Sequence, residues 1–159
     1  MTREKTVRKR FLFLGCAVAV GMAIAFISFF IYILVLRTEY RATRLEINEA
    51  VLNANIGSAS IERGGESWPL SRDVLEYYNK QILGDGMTVF NWKGAEPDEN
   101  SISICLGEKT LCFTEAGDSS VIYLSWCTPE IQKTYSIRGP AGSFRQASAY
   151  LSRYIESIT

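Results

Sequence analysis

The chain has 159 residues and a mass of 17.8 kDa, with 17 basic and 17 acidic side chains and no histidine. That length accommodates about one domain. The absence of imidazole excludes Ser-His-Asp and Cys-His nucleophile activation, together with the usual His-containing zinc sites.

Residues 1–10 form a basic tail in which Arg3, Lys5, Arg8, Lys9 and Arg10 face the single Glu4. Phe11 to Leu36 follow as 26 positions without a formal charge, 16 of them Leu, Ile, Phe or Val. At 1.5 Å per residue such a run exceeds a hydrocarbon core of about 30 Å, so a transmembrane helix with the lipid bilayer as its surroundings is expected over 11–36. Its apolar side chains favour insertion by about 5 to 10 kcal/mol. Ala23, Ile24 and Ala25 offer a small-x-small cleavage pattern. The apolar run continues to Leu36, so that bond lies within the hydrophobic segment and an uncleaved signal-anchor is the reading. Cys16 is a small lipid-compatible residue rather than a lipoprotein cysteine. The basic excess before the helix, against Arg37, Arg41 and Arg44 offset by Glu39, Glu46 and Glu49 after it, places the N-terminus in the cytoplasm and the rest outside it at the cell membrane. Ala17, Gly21 and Ala25 recur at every fourth position and make a candidate helix-pairing face for self-association or a partner helix. The positive tail is accounted for by topology, and nucleic-acid binding is rejected.

Residues 37–56 contain no Pro or Gly and are expected to carry the helix on as a juxtamembrane stalk whose last turns pack on the domain. Two apolar lines run along it, Ile47, Val51 and Ala54 on one and Leu45 and Leu52 on the other. Gly57 is expected to end it.

Residues 57–159 carry 9 basic and 13 acidic side chains, an acidic extracytoplasmic α+β domain. Ala59 to Glu62 and Ser67 to Leu70 flank Gly64 and Gly65 as a hairpin. Ser71 is a predicted N-cap for a helix that buries Val74, Leu75, Tyr78 and Ile82 and stops at Gly84. Strands are predicted over 88–92, 101–106, 110–115, 121–126 and 132–138, with an exposed acidic loop over 94–100. A closing helix from about Ser143 repeats Phe144, Ala147, Leu151, Tyr154, Ile155 and Ile158 at spacings of three and four. Helices at both ends of a run of strands indicate a small antiparallel sheet covered by helices on one face.

With Glu108 and Lys109 as a turn, Leu106 faces Leu111, Ile104 faces Phe113, and Cys105 stands opposite Cys112 as a possible disulfide. Cys127 remains as a third thiol that can replace either partner. No CxxC spacing, calcium loop, phosphate loop or SxxK sequence occurs, so no catalytic, cofactor or metal residue is assigned. The tryptophans Trp68, Trp92 and Trp126 are expected mainly in the core, with the helix-free sheet face or the loops after Trp92 and Trp126 as the places for a contact. The expected function is therefore a membrane-anchored, non-catalytic binding or assembly module with a protein partner in the membrane or envelope. The order of basic leader, apolar helix, polar extension and terminal sheet resembles type IV pilin-like proteins in outline, which implies a filament or secretion-apparatus subunit as the alternative. The chain departs from that pattern at Cys16, where such proteins carry Phe, and at Val20, where they carry Glu.

Overall fold

Between Gly21 and Gly57 the chain has neither glycine nor proline, and its backbone stays helical far beyond the apolar run. In a computed structural model, which describes residues 2–159 apart from 85, 97 and 119 and side chains from residue 14 onward, helix α1 covers Thr2–Leu52. A 3₁₀ turn, Ile56–Ser58, follows. Then come β1 (Ala59–Arg63), β2 (Glu66–Pro69), α2 (Arg72–Leu83), β3 (Thr88–Asn91) and β4 (Ile102–Leu106). The chain closes with β5 (Lys109–Glu115), β6 (Val121–Cys127), β7 (Gln132–Arg138) and α3 (Ser143–Ile158). The seven strands form one antiparallel sheet in the order β2-β1-β4-β5-β6-β7-β3, an α+β fold as the patterning predicts. The side chains of the basic tail lie outside the described residues, as do Asp85, Pro97 and Ser119.

The chain divides into two units, residues 1–35 and residues 36–159. In the first, the most apolar stretch of α1 buries none of its side chains, and among the described residues α1 is the one helix long and apolar enough to cross a membrane. Ala17, Gly21 and Ala25 are exposed there, and a Cβ built on Gly21 meets nothing within 4 Å.

In the second unit, Leu36, Tyr40, Thr43, Ile47 and Val51 recur at four, three, four and four residues and are all buried. They face the sheet side that carries Ile104, Leu111, Phe113, Leu124, Trp126, Tyr135 and Ile137. The packing expected of the last turns of the stalk thus reaches back to Leu36, with one face of residues 36–51 buried. The Ile47 and Val51 line packs inward, while Leu45 and Leu52 point outward. The helix ends at Leu52, before Gly57, and its terminal carbonyls find a donor in a distant guanidinium. Arg72 donates from Nη1 to the Val51 carbonyl at 2.8 Å and from Nη2 to the Ala54 carbonyl at 3.2 Å.

Helices α2 and α3 cover the same sheet face. Ser71 caps α2, its Oγ accepting from the Val74 N–H, and Tyr78 stacks on Phe113 while its hydroxyl donates to the Ala147 carbonyl of α3 at 2.7 Å.

The β4–β5 register corrects a second expectation. Leu106 pairs with Lys109, Cys105 with Thr110, Ile104 with Leu111 and Ser103 with Cys112, two residues away from the expected alignment. The reason is local. Gly107 takes φ +68°, and among the described residues none other than glycine has positive φ, so the turn sits on Gly107 and Glu108 with glycine first, as in a II′ hairpin. Cys105 and Cys112 thus share a sheet face on a diagonal, where Cα atoms lie about 7 to 8 Å apart, beyond the usual disulfide span. All four cysteines are free thiols in the structure.

The opposite sheet face is built from small polar side chains, among them Ser103, Cys112, Ser125 and Ser136. The β3–β4 connection approaches this face: Thr134 donates to the Trp92 carbonyl at 2.9 Å and Ser136 to the Lys93 carbonyl at 2.6 Å. At the far end Ser101 bridges Asp98 and Thr114, at 2.9 Å to each. Gly94 permits the approach, since a Cβ there would stand 2.6 Å from the Thr134 Cβ. Hydroxyls on the strands thus satisfy backbone groups that the crossing segment takes out of water.

Candidate functional site

Seen down its axis, the second-unit part of α1 has four sides, because residues three and four apart align. The buried line occupies one. Leu45 and Leu52, 65% and 73% exposed, lie opposite. Glu39, Ala42 and Glu46 form one flank, and Arg37, Arg41 and Arg44 the other. Arginines and glutamates that balance in the linear sequence are separated by the helix.

The acidic flank is pinned to the sheet by the two tryptophans singled out from sequence. The Trp92 indole N–H donates to Glu39 Oε2 at 2.7 Å, and that of Trp126 to Glu46 Oε1 at 3.0 Å. Lys133 Nζ donates to the other Glu46 oxygen at 3.0 Å. The Trp126 indole, followed by the Lys133 ammonium, holds the Glu46 carboxyl below the usual carboxylate range. Thr43 Oγ1 and the Tyr135 hydroxyl are 2.8 Å apart, and burial pushes the Tyr135 phenol up. Tyr40 meets Tyr135 edge-on with ring centroids 5.3 Å apart.

Between this flank and β7 runs a groove of about 480 Å³, lined by Glu39, Ala42, Thr43, Trp92 and residues 131–135. Ile131 stands at its rim, 48% exposed. The groove offers a half-buried indole, an exposed aliphatic side chain and the Glu39 carboxylate, oriented by the Trp92 N–H. Those groups suit a polypeptide segment carrying apolar and cationic side chains.

The residues named from sequence do not converge. Ala17, Gly21 and Ala25 lie in the first unit. Cys105 and Cys112 lie on the helix-free sheet face, where Cys127 pairs with Thr110 across β5 and β6. Burial pushes the Cys105 and Cys127 thiols up, with Glu62 adding to Cys105 and Cys112 to Cys127, so both stay protonated and poorly nucleophilic at neutral pH. Trp126 is fully buried on the helix-covered face, and Trp92 lines the groove. Among the described residues no group of three His, Cys, Asp or Glu is placed to hold a metal ion. Glu39 and Glu46 enter the sequence reading only as charges, and Thr43 and Tyr135 are not assigned to a site there. The 3.6-residue period separates Glu39 and Glu46 from the arginines, but their tryptophan partners lie 53 and 80 residues away and carry no local mark.

Comparison with protein-family models, with curated proteins and with solved structures finds no match to this chain.

Proposed function

We propose that the protein is a single-pass membrane protein, N-terminus cytoplasmic, whose acidic extracytoplasmic α+β domain is a non-catalytic binding or assembly module. One observation carries the reading: a single helix supplies both the exposed apolar segment and, from Leu36 onward, a central element of the domain core. Lipid is the surroundings that remove such a segment from water. The binding face is the groove between α1 and β7, where Glu39, Trp92 and Ile131 meet. A photocrosslinking residue at Ile131 is expected to give one defined adduct with an envelope or membrane protein, absent when the same residue replaces Thr110 on the opposite sheet face. Equal yields at both positions would refute the groove as the binding face.

A second reading, a filament or secretion-apparatus subunit, draws on the outward line of Leu45 and Leu52, which stacked copies would cover. Crosslinks between copies of the chain, with a mass loss matching cleavage after Gly15, decide for it.

A further inference from the structure

The arginine flank of α1 faces a different cleft. Arg37, Arg41 and Arg44 are spaced by four and three residues and, with Tyr40, Met87, Thr88 and Val89, line a hollow of about 340 Å³ against edge strand β3. Among the described residues that line it, none is a carboxylate. Arg37 and Arg41, four residues apart, are like charges that destabilise a helix unless an anion lies between them. Arg37 and Arg41 are exposed, and neither makes an ion pair or side-chain hydrogen bond among the described residues. Arg44 is half-buried on the same wall.

Tyr40 supplies an independent observation. Its side chain is 5% exposed, and its hydroxyl is buried with no hydrogen-bond partner among the described residues. Native interiors seldom leave such a group unpaired, and a buried donor without a protein acceptor is available to a ligand oxygen. Burial pushes the phenol up to about 12, with Arg44 opposing, so the hydroxyl keeps its proton at neutral pH and can donate. Guanidinium groups present paired N–H donors that match the oxygens of a phosphate, and a phenolic O–H adds one more donor to the same anion.

We propose that the cleft formed by Arg37, Arg41, Arg44 and Tyr40 against β3 is a binding site for a phosphate-bearing anion. Its position points to a source. Arg37 immediately follows Leu36, the last residue of the apolar run, so on the membrane-anchored reading the cleft lies at the level of the phospholipid headgroups. The lipid source rests on that reading, whereas the anion site does not.

The test uses the full chain purified in a maltoside detergent, which contains no phosphate. Native mass spectrometry counts retained phosphatidylglycerol or phosphatidylcholine, and calorimetry measures inorganic phosphate. The expected result is one phosphatidylglycerol per chain, held at least about tenfold more weakly by Arg37→Ala/Arg41→Ala and several-fold more weakly by Tyr40→Phe. Arg8→Gln/Arg10→Gln in the tail should leave it unchanged. Arg37 and Arg41 are exposed, and cooperative melting at or above the wild-type temperature certifies that the variants fold. Inorganic phosphate binding that falls in the same variants, without retained lipid, supports the anion site and assigns it to a soluble phosphate compound. Equal phosphatidylglycerol and phosphate binding by the wild type and the folded variants, or no binding by either, overturns the site. Membrane residence is read separately by fractionation, so the loss of one does not hide the other.

Discussion

Replacing Glu46 by alanine isolates the contact that fastens α1 to the sheet. Trp126 is fully buried, and its indole N–H has the Glu46 carboxylate as acceptor at 3.0 Å. Removing the acceptor strands a buried donor, which costs about 1 to 3 kcal/mol. The ion pair to Lys133 is partly solvated, with side-chain exposures of 29% and 34%, and adds less than about 1 kcal/mol. A total loss of about 2 to 3 kcal/mol is expected from urea unfolding of the full chain in detergent micelles, followed by tryptophan fluorescence. Glu46→Gln keeps a neutral acceptor oxygen and should lose about 1 kcal/mol or a little more. Trp126→Phe removes the donor itself, so Glu46→Ala on that background should lose much less than on the wild type. The loss also depends on pH. Because the folded Glu46 carboxyl titrates below the ordinary carboxylate range, its contribution is complete above that range and disappears as the pH falls through the lowered folded value. The gap between wild type and Glu46→Ala should therefore narrow on acidification. A loss below about 0.5 kcal/mol at neutral pH, or the same loss with Phe at position 126, would refute the contact as the fastening of α1.

Further outcomes follow from the same geometry. Tyr40→Phe deletes an unpaired buried hydroxyl and should raise stability by about 1 kcal/mol in the same unfolding assay, while weakening the anion site; a loss of stability would show that the hydroxyl is satisfied. Gly94→Ala drives a Cβ into Thr134 and should cost about 1 to 3 kcal/mol, whereas Gly94→Ala combined with Thr134→Ser should recover part of it. Alkylation of the unreduced, denatured chain followed by mass measurement should find Cys105, Cys112 and Cys127 all free, as their diagonal and separated positions require; a count of one would restore a disulfide.

Most of the fold is legible because its signals are local. Ser71 before Val74 and Leu75, the three-and-four spacing of Phe144, Ala147 and Leu151, and alternation in strands such as 102–106 each depend on neighbours within a turn or a strand. The boundaries of β7 at Gln132 and Arg138 and the start of α3 at Ser143 coincide with expectation. The β4–β5 register differed by two residues because the apolar faces match in either alignment; Ile104 meets Phe113 in one and Leu111 in the other. Only the backbone demand for positive φ at Gly107 separates them. That the packing of this helix begins as early as Leu36 carries no local signal for a related reason. Leu36, Tyr40, Thr43, Ile47 and Val51 form a helical line broken by a threonine, and its partners Tyr135 and Trp126 lie far along the chain. The arginines were legible as charge, but only the helical phase shows that Glu39 and Glu46 lie on the other flank of the helix.

The claim on which the function rests is that α1 stays in the bilayer and holds residues 57–159 outside the cytoplasm. Intact cells expressing the full chain, treated with external protease, then washed with alkaline carbonate and analysed by mass spectrometry, test it directly. The account predicts a carbonate-resistant fragment that retains the N-terminal residues, with peptides from 57–159 lost to the protease. An intact chain after protease treatment in cells whose outer face is accessible, release into the carbonate wash, or a mature form beginning at Phe26 would contradict it.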